Sequence, residues 1–383
     1  MVSVNGSVSS GYEGVKDAFA ANFNDDFEVG ASLAVMHKGE MVVDIWAGHR
    51  EMERTTEWQS DTIINVWSTT KTMMFLTLLT LADRGELSLT DPVYKYWPEF
   101  KANGKEDIEI RHLMAHTAGL SGWDQKMSAE DLYDHDKCAA ASAAQAAWWK
   151  PGSQSGYHAI SQGYLIGEVV KRVTGQSLGN FFRENFAEPL GADFHIGTGA
   201  EHDERIALVI PAEQGLPAEV DPNSLAMRTF MNPQMDARMS WTKEWRRCES
   251  PAANGHGNAR SVAQLQSIIS HNGEVGGKRF LSAEGVNALF AEQSNGMDVV
   301  LGVPMKFGMG YGLNSEHSPL SPNPRACFWG GWGGSMVIND ADRRVTLAYM
   351  MNRMAPGIIG GPVIAQLAAM AFSLPALVSR SSR

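Results

Sequence analysis

From Ala31 to Gly48 the chain reads ASLAVMHKGEMVVDIWAG, two runs rich in β-branched and aromatic residues on either side of Lys38-Gly39. That pattern predicts two strands joined by a tight turn. From Met73 to Asp83 the residues are apolar nearly all round, with Gly85 placed to end a helix. A helix with no polar face is a buried one. Asp91-Pro92, in SLTDPVYKYWPEF, reads as a further helix start. Helical patterns then dominate to about residue 190, among them the alanine-rich CAAASAAQAAWW, where Trp148-Trp149 are expected to pack at a helix end. Proline, glycine and charge become frequent between Ile196 and Gly255, which predicts long surface loops. Strand-like runs return in MGYGLN, ACFWGGWGGSMVIND and RRVTLAYMMN, and Gly357 to Val378 reads as an apolar closing helix.

Strands, then helices, then strands again predict an α/β fold with one antiparallel sheet built from both chain ends and flanked by helices. Residues 1–66 and 256–383 would form the sheet domain. Residues 67–255 would form an inserted, mainly helical domain, with the active site in the cleft between the two. A chain of 383 residues, 44% hydrophobic and 20% charged, is an ordinary globular chain with a substantial core. Its net charge of −11 argues against nucleic acid or an anionic membrane surface as the partner, since both need clustered Lys and Arg. Cys138, Cys248 and Cys327 are far apart and odd in number, as reduced packing residues of a cytoplasmic protein would be. The N-terminal residues lack a secretory pattern, and the apolar stretch at Gly357 to Val378 is broken early by Gly and Pro. No internal repeat is present.

Four stretches carry candidate chemistry. In NVWSTTKTMMFLTLL, Ser68 and Lys71 stand three residues apart, so on a helix they share a face. A serine hydroxyl attacks only when a base takes its proton, and a lysine is that base only when its pKa is lowered. The start of a buried helix supplies apolar surroundings, the positive end of the helix dipole and a free backbone N–H for an oxyanion. The same residues could instead be a cap and a lysine reaching solvent, and S-x-x-K is short enough to arise by chance. Gly175-Gln176-Ser177-Leu178-Gly179 spells G-x-S-x-G, the nucleophile elbow of α/β-hydrolases. That motif needs a strand before it, whereas Leu165, Ile166, Val169, Val170 and Val173 have helical period. Gly175 reads as a helix C-cap and Ser177 as the next N-cap. His112 and His116 have the i, i+4 spacing of a helical metal pair, but no Glu follows His112 and no third ligand is evident. His135 and Cys138 are equally isolated, so no metal or other cofactor is expected. The glycines of WGGWGGS (Trp329 to Ser335) lack a G-K-[ST] ending and sit among strand residues, where glycine marks close approach of a ligand or backbone.

Several of these segments resemble, in one order, the class C branch of the β-lactamase and penicillin-binding-protein superfamily. VWSTTK resembles its nucleophile motif. RGELSLTDPVYKYWPEF and IEIRHLMAHTAGLSGW are similar to the stretches after the nucleophile helix, and PGSQSGYHA places the branch's catalytic tyrosine on Tyr157. FWGGWGGS falls where Lys-Thr-Gly stands in true β-lactamases. The similarity runs from about residue 12 to about residue 352. Two departures stand out: Trp329-Gly330-Gly331 replaces Lys-Thr-Gly, and Tyr157-His158-Ala159 replaces Tyr-x-Asn. A Trp-Gly-Gly third motif resembles the family VIII carboxylesterases. Losing the lysine removes the cation that would hold a β-lactam carboxylate.

The resemblance implies a serine carboxylesterase acting on small, short-acyl esters without a cofactor. Ser68 would form an acyl-enzyme, and Lys71 or Tyr157 would take its proton. The backbone N–H groups of Ser68 and Trp332 would bind the oxyanion. Trp123, Trp329, Gly330, Gly331 and Trp332 would line the substrate pocket. A weak β-lactamase, an acyltransferase, an amide or oligomer hydrolase and a non-catalytic binding protein of the same fold remain alternatives. A cell-wall D,D-peptidase is disfavoured because no export signal is evident.

Overall fold

Nine strands form one antiparallel sheet: β1 (Asn5–Val8), β2 (Gly30–His37), β3 (Glu40–Gly48), β4 (Ser294–Met297), β5 (Pro304–Phe307), β6 (Gly312–Leu313), β7 (Ala326–Gly330), β8 (Met336–Asp340) and β9 (Val345–Met351). Their spatial order is β1-β3-β2-β9-β8-β7-β6-β5-β4. This architecture comes from a computed structural model that describes residues 2–24, 27–212, 221, 223–356 and 366–369. Lys38 and Gly39 join β2 to β3 with φ of 52° and 89°, the positive values a two-residue type I′ turn requires. The two ends of the chain meet where β2 pairs with β9, from Ala31 opposite Met351 to His37 opposite Val345.

The longer helices are α1 (Glu13–Ala21), α2 (Lys71–Asp83), α3 (His135–Ala144), α4 (Ser161–Thr174) and α5 (Ala259–Ser270). Alternate residues of β2 serve opposite faces of the sheet. Leu33 and Val35 join Val15 and Phe19 of α1 in one core, whereas Ala34 and Met36 join Val262, Leu265 and Ile269 of α5 in the other. With both faces covered, β2 and β9 are buried along nearly their whole length and read as continuous apolar runs. Helix α2 lies deeper still. It is buried from Lys71 to Leu81 and packed by α4, α5, Leu178–Phe182 and Ala283–Leu289. Each of its large apolar side chains contributes about 1.5–3 kcal/mol by burial, which anchors the helix start. Gly85 (φ 73°) ends it in a Schellman motif, Gly85 N donating to Ala82 O and Glu86 N to Leu81 O.

Other expectations need correction. Asp91-Pro92 opens only a 3-10 turn, Val93–Lys95, because Pro98 starts a second turn and cannot continue a helix from the first. The 196–255 stretch is not all surface, since Ser250 to Gly255 are buried. That segment bonds to the start of α2 through Ala252 O, 3.0 Å from Lys71 Nζ, and Gly255 N, 2.9 Å from Thr70 Oγ1. Trp148 and Trp149 lie beyond the end of α3. The Arg228 guanidinium sits 3.8 Å over the Trp148 ring, and Trp149 meets His158 edge-on at 5.9 Å. Cys138, Cys248 and Cys327 are free thiols. The expected closing helix falls mostly outside the described residues, of which 366–369 are helical. Among the described residues no helix is long and apolar enough to cross a membrane.

Candidate active site

Ser68 sits on a 3-10 turn, Trp67–Thr70, that runs directly into α2. Trp67, just before it, has φ of 47°. A bulky aromatic residue in the left-handed region is strained, so surrounding contacts must hold it there. They do so from both sides. Val66 N donates to Gly255 O at 2.9 Å, Gly255 N donates to Thr70 Oγ1 at 2.9 Å, and Thr70 Oγ1 donates to Trp67 O at 2.5 Å. From the sheet, Ser335 Oγ donates to Val66 O at 2.8 Å and lies 2.9 Å from Thr69 Oγ1. The Trp67 ring packs edge-on against Trp332 at 5.2 Å and tilted against Trp245 at 5.8 Å.

One turn along α2, Lys71 Nζ lies 3.2 Å from Ser68 Oγ, 2.6 Å from Ala159 O and 3.0 Å from Ala252 O. Its side chain is fully buried, and burial holds its pKa well below the usual lysine value of 10.5. A neutral amine has two N–H bonds and one lone pair. In the neutral form the two carbonyls would take both N–H bonds and leave the lone pair for Ser68. Tyr157 Oη donates to Ser68 Oγ at 2.7 Å, and Lys71 Nζ lies 5.0 Å from the Tyr157 ring centre. Burial raises the Tyr157 pKa above the usual 10.0, with its hydrogen bond to Ser68 opposing. Burial thus favours the uncharged form of both groups, the phenol and the amine. A hydroxyl placed between a neutral amine and a protonated phenol can give up its proton on one side and receive one back from the other.

The fold brings Ser68, Lys71 and Tyr157 together as expected, but other expected residues take different places. Trp329 is fully buried behind Tyr157, its ring 5.5 Å from the phenol and stacked on His116 at 5.7 Å. It supports the tyrosine rather than presenting a wall to solvent. Trp123 is buried against Tyr164, and its Nε1 donates to Cys138 O and Ser142 Oγ of α3, so its contacts are those of core packing. Gly330 is a buried strand residue opposite Met336. Gly331 passes so close to the nucleophile turn that a Cβ there would lie 2.2 Å from Val66 O. Its close neighbour is backbone. Trp332, partly buried, stands in the turn after β7 beside Trp67.

Ser177 is the N-cap of Leu178–Phe182, accepting from Asn180 N at 3.3 Å and donating to Glu249 at 2.7 Å, while Gly175 (φ 73°) caps α4. His112 Nδ1 accepts from Glu109 N and closes the capping box of Ile110–Met114. His116 lies past that helix with φ of 60°, so the two histidines are not a helical pair. Among the described residues, His135, Asp136 and Glu168 bring possible ligand atoms within 4.8 Å of one another. Lys171 already pairs with Asp136 at 2.6 Å and Arg172 with Glu168 at 2.7 Å, so the group ties α3 to α4 as an ion-pair network. Sequence reading missed the carbonyls of Ala159 and Ala252, Ser335, His116 and Asp298. Only the small-residue run SPAANG, from Ser250 to Gly255, carried a signal that backbone passes close to something there.

This geometry stands on a known fold. The β-lactamase family matches residues 19–368, and the chain belongs to that family. A solved family VIII carboxylesterase is 38% identical, with a TM-score of 0.92 over 97% of this chain and all of that one. A penicillin-binding-protein homologue from Caulobacter crescentus is 32% identical, with a TM-score of 0.90 over 97% of this chain and 100% of its own. The esterase/β-lactamase LipL of Mycobacterium tuberculosis is 33% identical over 366 residues, which is 89% of this chain and 81% of that protein.

Proposed function

We propose that the chain is a serine carboxylesterase that hydrolyses short acyl esters through an acyl-enzyme on Ser68. The observation that carries this is Ser68 Oγ standing within hydrogen-bond reach of both Tyr157 Oη (2.7 Å) and a buried Lys71 Nζ (3.2 Å). Likeness to a carboxylesterase and to an esterase/β-lactamase supports the same reaction class. Lys71 takes the Ser68 proton as Oγ bonds to the ester carbonyl carbon. Tyr157 gives its proton to the departing alkoxide and is reprotonated by the proton that Lys71 took from Ser68, which leaves both groups as they began. Water then adds to the acyl-enzyme with the same groups in reverse, releasing the acid and restoring Ser68. The backbone N–H groups of Ser68 and Trp332 hold the oxyanion, each worth about 2.7–4 kcal/mol to the transition state. The proposed cleft lies between a helical part drawn from within residues 67–255 and a sheet part drawn from within residues 1–66 and 256–383. Three free thiols suit a cytoplasmic setting. A β-lactam finds no cation at buried Trp329 to hold its carboxylate, which favours esters.

The test is hydrolysis of p-nitrophenyl esters over a series of acyl lengths, beside a chromogenic cephalosporin and titration with a serine-directed phosphonate. Wild type is expected to cleave short acyl esters and take up one phosphonate, and Ser68→Ala to do neither. Phosphonate uptake surviving Ser68→Ala would overturn the nucleophile. Faster cephalosporin than ester turnover would make the protein a β-lactamase.

A further inference from the structure

Tyr157 lies in an irregular stretch, yet its hydroxyl is aimed at Ser68. Three consecutive backbone N–H groups in that stretch are held by just two residues. Gly156 N donates to His116 O at 2.9 Å, Tyr157 N to Asp298 Oδ1 at 3.0 Å, and His158 N to His116 Nδ1 at 3.0 Å. We infer that His116 and Asp298 are positioning residues for Tyr157, gripping its backbone from opposite sides so that the phenol reaches Ser68 Oγ. The inference rests on the esterase reading of Ser68 and Tyr157.

His116 comes from the helical part of the chain. Its left-handed backbone (φ 60°) lets one residue present both its carbonyl and its ring to the same stretch. Accepting from His158 N requires Nδ1 to be unprotonated, so the ring proton is on Nε2. That nitrogen is buried with no hydrogen-bond partner among the described residues, and the His116 ring packs against those of Tyr157, Phe307 and Trp329 at centroid separations of 5.0, 5.1 and 5.7 Å. A leucine would fill this space without leaving a buried, unsatisfied donor, which proteins rarely tolerate. Packing alone therefore does not account for a histidine here, whereas the Nδ1 acceptor does.

Asp298 comes from the other side, in the loop between β4 and β5. Its Oδ1 accepts from Tyr157 N and also from Val300 N (3.0 Å) and Leu301 N (2.9 Å). The same oxygen thus shapes the hairpin loop and fastens it to the tyrosine. Val299 N adds a bond to Ser155 O at 3.0 Å. Displacing a reacting group by about 1 Å costs about a hundredfold in rate.

The experiment uses the full-length protein, with kcat and KM measured on untreated enzyme and expressed per Ser68 site counted by phosphonate titration of a separate aliquot. Melting temperature is followed in parallel. His116→Ala and Asp298→Ala are expected to lose about a hundredfold in kcat with KM nearly unchanged. His116→Asn should recover most of the loss, because its Oδ1 falls where Nδ1 was and asparagine tolerates positive φ. His116→Gln, whose amide extends past that point, should not. Retention of kcat within about threefold in both alanine variants overturns the inference, as does equal activity of His116→Asn and His116→Gln. If His116→Ala does not fold, Asp298→Ala decides alone on the same threshold. A wild-type protein that takes up no phosphonate at Ser68 would instead sink the esterase reading.

Discussion

Replacing Gly331 by alanine tests whether the third motif works by backbone contact with the nucleophile turn. The new Cβ would lie 2.2 Å from Val66 O and 2.3 Å from Ser335 Oγ, where ordinary contact begins at 3.4 Å. About 1.2 Å of separation must therefore be found, the difference between 3.4 and 2.2 Å. The Ser335 hydroxyl can rotate away, but the Val66 carbonyl is fixed by Ser335 Oγ and Thr69 N and stands two residues before Ser68. The cheapest relief is to move β7 and the Trp332 turn outward, which would draw the proposed Trp332 oxyanion donor off its target. A shift of about 1 Å costs about a hundredfold, or about 2.7 kcal/mol of transition-state stabilisation. Overpacking should also lower stability by about 1–3 kcal/mol. Steady-state hydrolysis of a p-nitrophenyl ester, with thermal unfolding alongside, reads both. A Gly331→Ala enzyme that keeps kcat within about threefold refutes the claim that this approach sets the site.

If Lys71 is the base proposed for Ser68, it must be neutral to act, and kcat/KM should rise with pH through a limb lying well below 10.5, with no fall from Tyr157 below pH 10. Lys71→Arg, always charged, should abolish turnover at every pH, and a surviving limb would acquit Lys71. Glu28 accepts from Tyr349 Oη at 2.6 Å, and burial raises its carboxyl from 4.5 to about 8. The folded state alone holds that proton between the two values. Its stabilisation is therefore complete below pH 4.5 and is lost as pH rises through about 8, with an upper bound of about 5 kcal/mol at 1.36 kcal/mol per pH unit. Glu28→Gln should flatten this part of the melting-temperature profile against pH; an unchanged slope would show that Glu28 does not cause it. Ser177→Ala should cost about 1 kcal/mol of stability through the lost cap and leave kcat unchanged. Loss of activity without loss of stability would contradict its capping role.

Much of the scaffold was legible because local chemistry decides it. The Lys38-Gly39 turn, the buried α2 and the Gly175 and Ser177 caps each follow from residues within a few positions of one another. Pro98 was also visible, and its veto over a helix from Asp91 could have been read. The Ser68–Lys71 pair was legible for the same local reason, whereas Tyr157 depended on resemblance. His116 and Asp298 were not legible as supports, since each acts on a backbone N–H far along the chain. Tryptophans mislead in the other direction. Trp123 and Trp329 look like pocket walls in a string of letters, but apolar bulk does not distinguish a cavity lining from a core.

The seam between β2 and β9 makes synthesis of this protein an all-or-nothing affair. Its two strands are more than 300 residues apart, and β9 ends at Met351. Until that strand emerges from the ribosome, β2 has β3 on one side and an unpaired, buried-type apolar edge on the other. Such an edge invites pairing with other chains. The long loop to be closed also slows folding. A chain broken off before residue 345 would therefore not settle into a smaller working domain. It would leave that edge exposed, and β8, which follows the Ser335 that braces the nucleophile turn, would lack its β9 neighbour.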